Sequence, residues 1–159
     1  MLAALTVLLA APGTSAAPPD AGLLAPGRSL GGIALGASRA EVVASWGRAF
    51  GRCRFCPIET LYFNRFAFRP EGAAVELGQD RVVAVFTLWA PPGWRTTDGL
   101  RIDEPLARLE ATYRPLRRSA CRGYDAYVLP GSGARSVVYV LDGRVWGFAL
   151  LGRGHAVCL

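Results

Sequence analysis

The chain of 159 residues is 52% hydrophobic and carries a formal net charge of +6. This hydrophobic fraction excludes an intrinsically disordered protein, and the length suffices for one ordinary domain or two very small ones. All 18 basic residues are arginines, scattered from Arg28 to Arg153. Because nucleic-acid-binding proteins usually cluster basic side chains on one face, the sequence disfavours a nucleic-acid partner.

The N-terminus predicts a secretory signal peptide over residues 1–16. Residues 2–11 are almost entirely apolar, a Pro-Gly pair ends the run, and small residues precede the expected cleavage after Ala16. No basic residue precedes the apolar run, which is too short to span a bilayer. We therefore expect a secreted or extracytoplasmic protein without stable membrane insertion, whose mature chain starts with a flexible Pro-rich segment over 17–27.

A first structural unit is predicted over residues 28–90. Ser38 and Glu41 have the spacing of a capping box, which predicts a short helix over 39–46. An antiparallel meander is predicted after it, with strands over 61–68 and 73–77 and a hairpin over 76–88 that turns at Gly78-Gln79-Asp80.

A second unit is predicted over residues 99–159, after a linker over 91–98. Its start matches the first unit at an offset of 67, and its tail matches at an offset of 63, with a hairpin turn at Asp142-Gly143. Pro105 opens the second helix, and Asp103 is the expected cap. The predicted fold class is α+β, with two tandem units, each a short helical segment packed on an antiparallel meander.

The helix start carries a short family pattern. Its residues are Ile33, Gly36, Ser38, Val42 and Gly47. In this pattern, and in its tandem organisation, the chain resembles the β-lactamase inhibitor protein and the small outer-membrane assembly lipoproteins. The second unit departs from the pattern, with Asp103 and Pro105 in place of Gly and Ser/Thr. The resemblance implies a binding protein, either an inhibitor or an envelope assembly factor.

Four cysteines follow the predicted signal peptide, and export favours two disulfides. Cys53–Cys56 would close a small loop, and Cys121–Cys158 would attach the C-terminal residues to the second unit. The larger ring would stabilise the fold by about 3–4 kcal/mol in the chain-entropy model. Pairing between the two units is the main alternative, since four cysteines allow three connectivities.

The C-x-x-C spacing of Cys53 and Cys56 also suggests a thiol–disulfide active site or half of a zinc site. A redox pair usually begins a helix, but here a predicted helix precedes the pair and a strand follows it. A zinc site needs four ligands, while the remaining candidates, Cys121, Cys158 and His155, are dispersed. Both alternatives are therefore weaker than a structural disulfide, and we expect no bound metal.

No motif for catalysis is present. The single histidine, His155, is near the C-terminus, and the chain contains neither a G-x-S-x-G elbow nor a phosphate-binding loop. We therefore expect a protein that is not an enzyme and needs no cofactor.

The candidate binding surface is Trp89, Trp94 and Arg95, because tryptophan and arginine dominate binding hot spots. The competing interpretation is that both tryptophans fill the seam between the units. The predicted function is an exported, non-catalytic module that binds another protein, for example as an inhibitor. The alternatives are an envelope-associated structural or assembly factor and a thiol–disulfide oxidoreductase at Cys53 and Cys56.

Overall fold

The computed structural model describes residues 19, 21–53, 55–66 and 69–159. The predicted signal peptide and its cleavage position lie outside the described residues. The segment that was expected to be a flexible start of the mature chain includes a strand over Gly22–Ala25.

The described residues form two short helices and eleven strands. In chain order these are β1 (Gly22–Ala25), β2 (Ser29–Leu30), α1 (Arg39–Trp46), β3 (Gly51–Arg52), β4 (Glu59–Phe66), β5 (Arg69–Gly78), β6 (Arg81–Leu88), β7 (Trp94–Thr96), α2 (Leu106–Thr112), β8 (Arg117–Ala120), β9 (Asp125–Val128), β10 (Arg135–Leu141) and β11 (Arg144–Leu151).

The strands form one large and one small sheet. The large sheet is antiparallel, in the order β3-β4-β5-β6-β11-β10-β9-β8. In the small sheet, of order β2-β1-β7, strand β1 pairs antiparallel with β2 and parallel with β7. Strand β7 lies partly in the segment predicted as a linker.

The prediction of two separate helix-plus-meander units is wrong. The fold is mostly β, and its two meanders join through β6 and β11 into a single eight-stranded sheet, with Phe86 opposite Ala149 and Val85 opposite Leu150. Both strands are buried on both faces over most of their length. Their backbone N–H and C=O groups therefore need partners that water cannot supply, and pairing β6 with β11 provides them.

The first helix matches its predicted bounds, but the second helix begins differently from the prediction. At α1, the Ser38 side chain accepts from the N–H of Glu41, and the Glu41 carboxylate accepts from the N–H of Ser38. At α2 the cap residue is Pro105, whose side chain cannot accept a hydrogen bond, so the expected cap at Asp103 is wrong. Asp103 instead adopts a left-handed conformation before the helix.

The main hydrophobic core covers one face of the large sheet. Val75, Val85 and Leu150 lie side by side across β5, β6 and β11 and are fully buried. Both helices and the small sheet pack against this face, and their buried side chains are Leu24, Leu30, Val42, Trp46, Trp94 and Leu109.

A smaller cluster occupies the opposite face. The neighbouring positions Ala74, Phe86 and Ala149 alternate with the main-core residues along the same strands. The C-terminal segment, residues 152–159, contributes Val157 to this cluster. The central strands of the sheet are therefore buried on both faces, whereas the edge strands β3 and β8 are largely exposed.

Candidate binding surfaces

Trp94 is not a surface residue. It is 1% exposed and packs edge-to-face against Trp46, with ring centroids 6.4 Å apart. A Cβ atom at Gly22 would lie 2.5 Å from the Trp94 ring, so β1 and β7 can approach only because this position is glycine. The interpretation of Trp94 as a packing residue holds, and it leaves the candidate binding surface.

Trp89 remains on the surface, at 59% exposure. It follows β6, and both Trp89 and Ala90 have positive φ angles, a conformation that costs about 1–3 kcal/mol at a residue other than glycine. Its ring packs edge-to-face on Trp146, which also contacts two tyrosines. This aromatic cluster consists of Trp89, Tyr124, Tyr139 and Trp146.

Arg95 is exposed on β7, and its backbone pairs with that of Arg101 in an isolated antiparallel β-bridge. The two arginines border a cleft of about 570 Å³ that is also lined by Trp94 and Asp103. The structure thus separates the three predicted residues: Trp89 joins the aromatic cluster, Arg95 borders the cleft, and Trp94 lies below it in the core.

The two disulfides have the pairing that the sequence favoured, Cys53–Cys56 and Cys121–Cys158. The first closes a small ring in the connection between β3 and β4. Its Cys53 N–H donates to the carbonyl of Thr60 at 3.0 Å, and the Cys56 sulfur lies 3.8 Å from the Tyr62 hydroxyl. The ring is followed by a strand, so no helix N-terminus is available to stabilise a thiolate at Cys53.

Phe55 lies inside this ring and is 96% exposed, the highest exposure among the large hydrophobic residues whose side chains the structure describes. A phenylalanine is ordinarily buried, and a short disulfide ring limits the backbone that carries this one. Sequence reasoning considered the same stretch only for its cysteines and missed Phe55. The available signal was a large apolar residue between two cysteines that are too close together to let it reach the core.

The surface beside the ring is basic. Arg48 and Arg52 are exposed, and the Arg52 guanidinium lies 5.8 Å from the centre of the Phe50 ring. On β4, Glu59 accepts a hydrogen bond of 3.0 Å from Arg39, which holds the pKa of Glu59 below its usual range. Arg39 is shared with Asp80, at 2.6 Å from its carboxylate oxygen, so one guanidinium faces two carboxylates and Glu59 offsets part of the positive charge of Arg52.

The C-terminal segment is fastened across the second cluster. The Tyr139 hydroxyl donates to the carbonyl of Val157 at 3.1 Å, and the Tyr124 hydroxyl donates to the carbonyl of Leu159 at 3.0 Å. Cys158 is bonded to Cys121, immediately after β8. The second disulfide thus closes a ring that includes β9, β10 and β11.

His155 pairs with Glu76 on the same face, with 2.9 Å between Nε2 and the carboxylate oxygen. Within the described residues this pair includes no serine or cysteine nucleophile, and no cluster of three or more His, Cys, Asp or Glu side chains could hold a metal ion. No helix in the same part of the chain is long and apolar enough to cross a membrane.

Neither a protein-family model nor a curated protein matches this chain. Among solved structures, its fold is similar to the crystal structure of an extracellular protein containing an SCP domain from Bacillus anthracis str. Ames. The TM-score is 0.53, the sequence identity is 10%, and the likeness covers 75% of this chain. It covers only 44% of the other protein, less than half its length. At this identity the likeness shows the fold alone.

Proposed function

We propose that this protein is exported, performs no catalysis itself, and acts by binding another protein in the manner of an inhibitor, with Phe55 as the anchoring side chain. The observation that carries the proposal is the 96% exposure of Phe55 on a disulfide ring. Two disulfides and a sequence that predicts a signal peptide support export.

Burial of Phe55 in a partner would contribute strongly to affinity. Moving a phenylalanine side chain from water into an apolar pocket gains about 1.5–3 kcal/mol. The ring holds the residue in place before binding, so less conformational entropy is lost on association. The exposed Arg52, which directly precedes the ring in the chain, favours a partner whose pocket has an acidic rim.

The role of an inhibitor follows from a projecting, constrained loop, which suits insertion into a cleft better than contact with a flat surface. The sequence resemblance to the β-lactamase inhibitor protein supports the same role. An envelope assembly factor is the alternative that the resemblance also supports. The two differ in outcome, because only an inhibitor changes the activity of its partner.

The oxidoreductase alternative has less support. Cys53 and Cys56 lie between two strands, and the ring is followed by β4 rather than by a helix. An insulin-reduction assay separates the hypotheses: we expect no turnover above that of the double variant C53S/C56S.

The test uses a photo-reactive phenylalanine analogue, benzoylphenylalanine, at position 55. The labelled protein is irradiated with envelope and culture-medium fractions of the producing organism, and cross-linked proteins are identified by mass spectrometry. Position 141 is the matched control, because Leu141 is also an exposed apolar residue but lies at the end of β10. We expect a partner that cross-links from position 55 and not from position 141.

The affinity of the identified partner is then measured for the variants. Phe55→Ala should weaken binding at least 30-fold, and Leu141→Ala should change it less than threefold. Equal affinity of the wild type and Phe55→Ala would contradict the proposal. If binding depends on Phe55 but leaves every activity of the partner unchanged, the inhibitor role fails and the assembly alternative replaces it.

A further inference from the structure

A groove lies at the other end of the large sheet, between α2 and the edge strand β8. Its volume is about 950 Å³. Its lining is an apolar base with charged side chains at the rim, and consists of Leu106, Glu110, Tyr113, Arg114, Pro115, Leu116, Arg118 and Tyr127. Tyr113 and Tyr127 are buried, so the base of the groove is fixed by the core.

One wall of this groove is a strand edge with outward-pointing backbone groups, of which the carbonyl of Ala120 lies 3.9 Å from the Cys158 sulfur. Among the described strands, β8 pairs with β9 alone. The N–H of Cys121 donates to the carbonyl of Tyr124. Because hydrogen-bonded positions alternate along an antiparallel strand, Ser119 also faces β9, while the backbone groups of Arg118 and Ala120 point away from it.

The side chains of the outward-pointing positions lie on the groove side of the sheet. Arg118 is opposite Tyr127, whose ring lines the groove and belongs to the main core. A strand added to β8 would therefore place every second side chain over the apolar base. Four or five extended residues would match the length of β8, at about 3.3 Å per residue.

The charge of this edge is strongly positive. Arginines at four nearby positions are exposed, and Glu110 is the one acidic residue in the groove lining. These arginines are Arg114, Arg117, Arg118 and Arg122. Arg118 forms an ion pair with Asp125, at 3.0 Å between the guanidinium nitrogen and the carboxylate oxygen. Arg114 forms no ion pair within the described residues, and its Nε donates to the carbonyl of Glu110.

We propose that the groove between α2 and β8 binds an extended, acidic segment of a partner protein, which adds to the sheet as a ninth strand next to β8. The N–H and C=O of Arg118 and the N–H of Ala120 supply the ladder hydrogen bonds, the apolar base receives alternate side chains, and Arg114 and Arg118 select acidic residues. This surface is at the opposite end of the sheet from Phe55 and does not depend on the function proposed for that residue.

The probes are two sets of fluorescein-labelled seven-residue peptides. In one set Glu or Asp alternates with Val or Thr, and in the other Lys replaces the acidic residues. We expect the acidic set to bind the full mature chain at least tenfold more tightly than the basic set. In ¹H–¹⁵N spectra with an acidic peptide, the amides of Arg118 and Ala120 should shift and exchange more slowly with solvent.

Two variants test the two contributions separately. Ala120→Pro removes an outward N–H without removing a bond to β9, and should weaken acidic-peptide binding at least tenfold. Arg114→Gln combined with Arg118→Gln should weaken it at least tenfold while leaving β8 intact. Arg153→Gln, an exposed arginine in the C-terminal segment, is the matched control and should change affinity less than twofold.

Several results would overturn the proposal. These are equal binding of the acidic and basic peptides, shifts that map away from β8 and α2, and a correctly folded Ala120→Pro variant with wild-type affinity. Absence of any spectral change at millimolar peptide would also overturn it. Shifts at the same amides with phosphatidylglycerol vesicles but not with peptides would replace the peptide by a membrane surface.

Discussion

Both ends of the eight-stranded sheet carry a disulfide, but the two disulfides constrain different parts of the molecule. At the β3–β4 end, Cys53–Cys56 joins residues three apart in sequence and encloses an exposed phenylalanine. At the β8 end, Cys121–Cys158 joins residues 37 apart and encloses three strands and the C-terminal segment. The short ring constrains a surface, whereas the long ring constrains the fold.

The two ends also differ in the groups that they expose to a partner. The first presents one apolar side chain on a rigid loop, and the second presents backbone hydrogen-bonding groups beside an apolar groove. A projecting side chain suits a partner that has a pocket, and an open edge suits a partner that has an extended segment. One sheet thus offers two kinds of contact, at sites separated by six strands.

The comparison of the disulfides predicts the largest effect on stability. In the chain-entropy model the long ring contributes about 4 kcal/mol and the short ring about 2 kcal/mol to the free energy of unfolding. We expect C121S/C158S to lower that free energy about twice as much as C53S/C56S, as measured by urea denaturation followed by circular dichroism. A larger loss for C53S/C56S would show that the short ring also supports the fold.

Alkaline pH should destabilise the fold through buried tyrosines in the second half of the chain. Burial raises the pKa of Tyr113, Tyr127 and Tyr139, all of which lie after residue 99. The folded state therefore holds these protons more tightly than the unfolded state, so their stabilisation is complete below the ordinary tyrosine pKa of about 10 and is lost as the pH rises above it.

The measurement is the free energy of unfolding between pH 8 and pH 11. Each tyrosine that is ionised in the unfolded state but still protonated in the folded state should lower this free energy by about 1.4 kcal/mol per pH unit above pH 10. Tyr139→Phe should flatten this dependence. Identical slopes for the wild type and Tyr139→Phe would contradict the assignment.

The smallest predicted effect compares the helix starts. Ser38→Ala removes the hydroxyl that accepts from the N–H of Glu41 at α1, while the backbone N–H of residue 38 can still donate to the Glu41 carboxylate, and should cost about 1 kcal/mol. Pro105→Ser at α2 should change stability by less than about 0.5 kcal/mol, because the gained cap offsets the lost rigidity of proline. Thermal denaturation of the two variants measures the difference, and equal losses would show that the α1 cap is not stabilising.

Features set by neighbouring residues could be predicted from the sequence. The bounds of α1 follow from a capping box and a glycine, and the hairpin turn at Asp142-Gly143 follows from its dipeptide. The pairing of β6 with β11 was missed because strand partners more than 60 residues apart leave no local pattern. The parallel pairing of β1 with β7 was missed for the same reason, which turned part of a predicted linker into a strand.

The candidate site was predicted only in part. Composition identified tryptophan and arginine as binding residues, but it could not distinguish Trp89, which is exposed after β6, from Trp94, which is buried at the start of β7. Phe55 was missed because its exposure results from the short ring, and the α2–β8 groove was missed because it requires the strand order. Both depend on which strands are at the ends of the sheet.

The pairing of β6 with β11 also constrains the order in which the protein folds. The first meander can form as soon as residue 88 is available, but its last strand, β6, then has a long apolar edge without a partner. That edge is covered only when β11 has formed, and contacts between segments so distant in sequence form slowly. During synthesis or transport across a membrane, the half-finished sheet is therefore the state most exposed to aggregation, and chaperone binding would be most useful before residues 144–151 emerge.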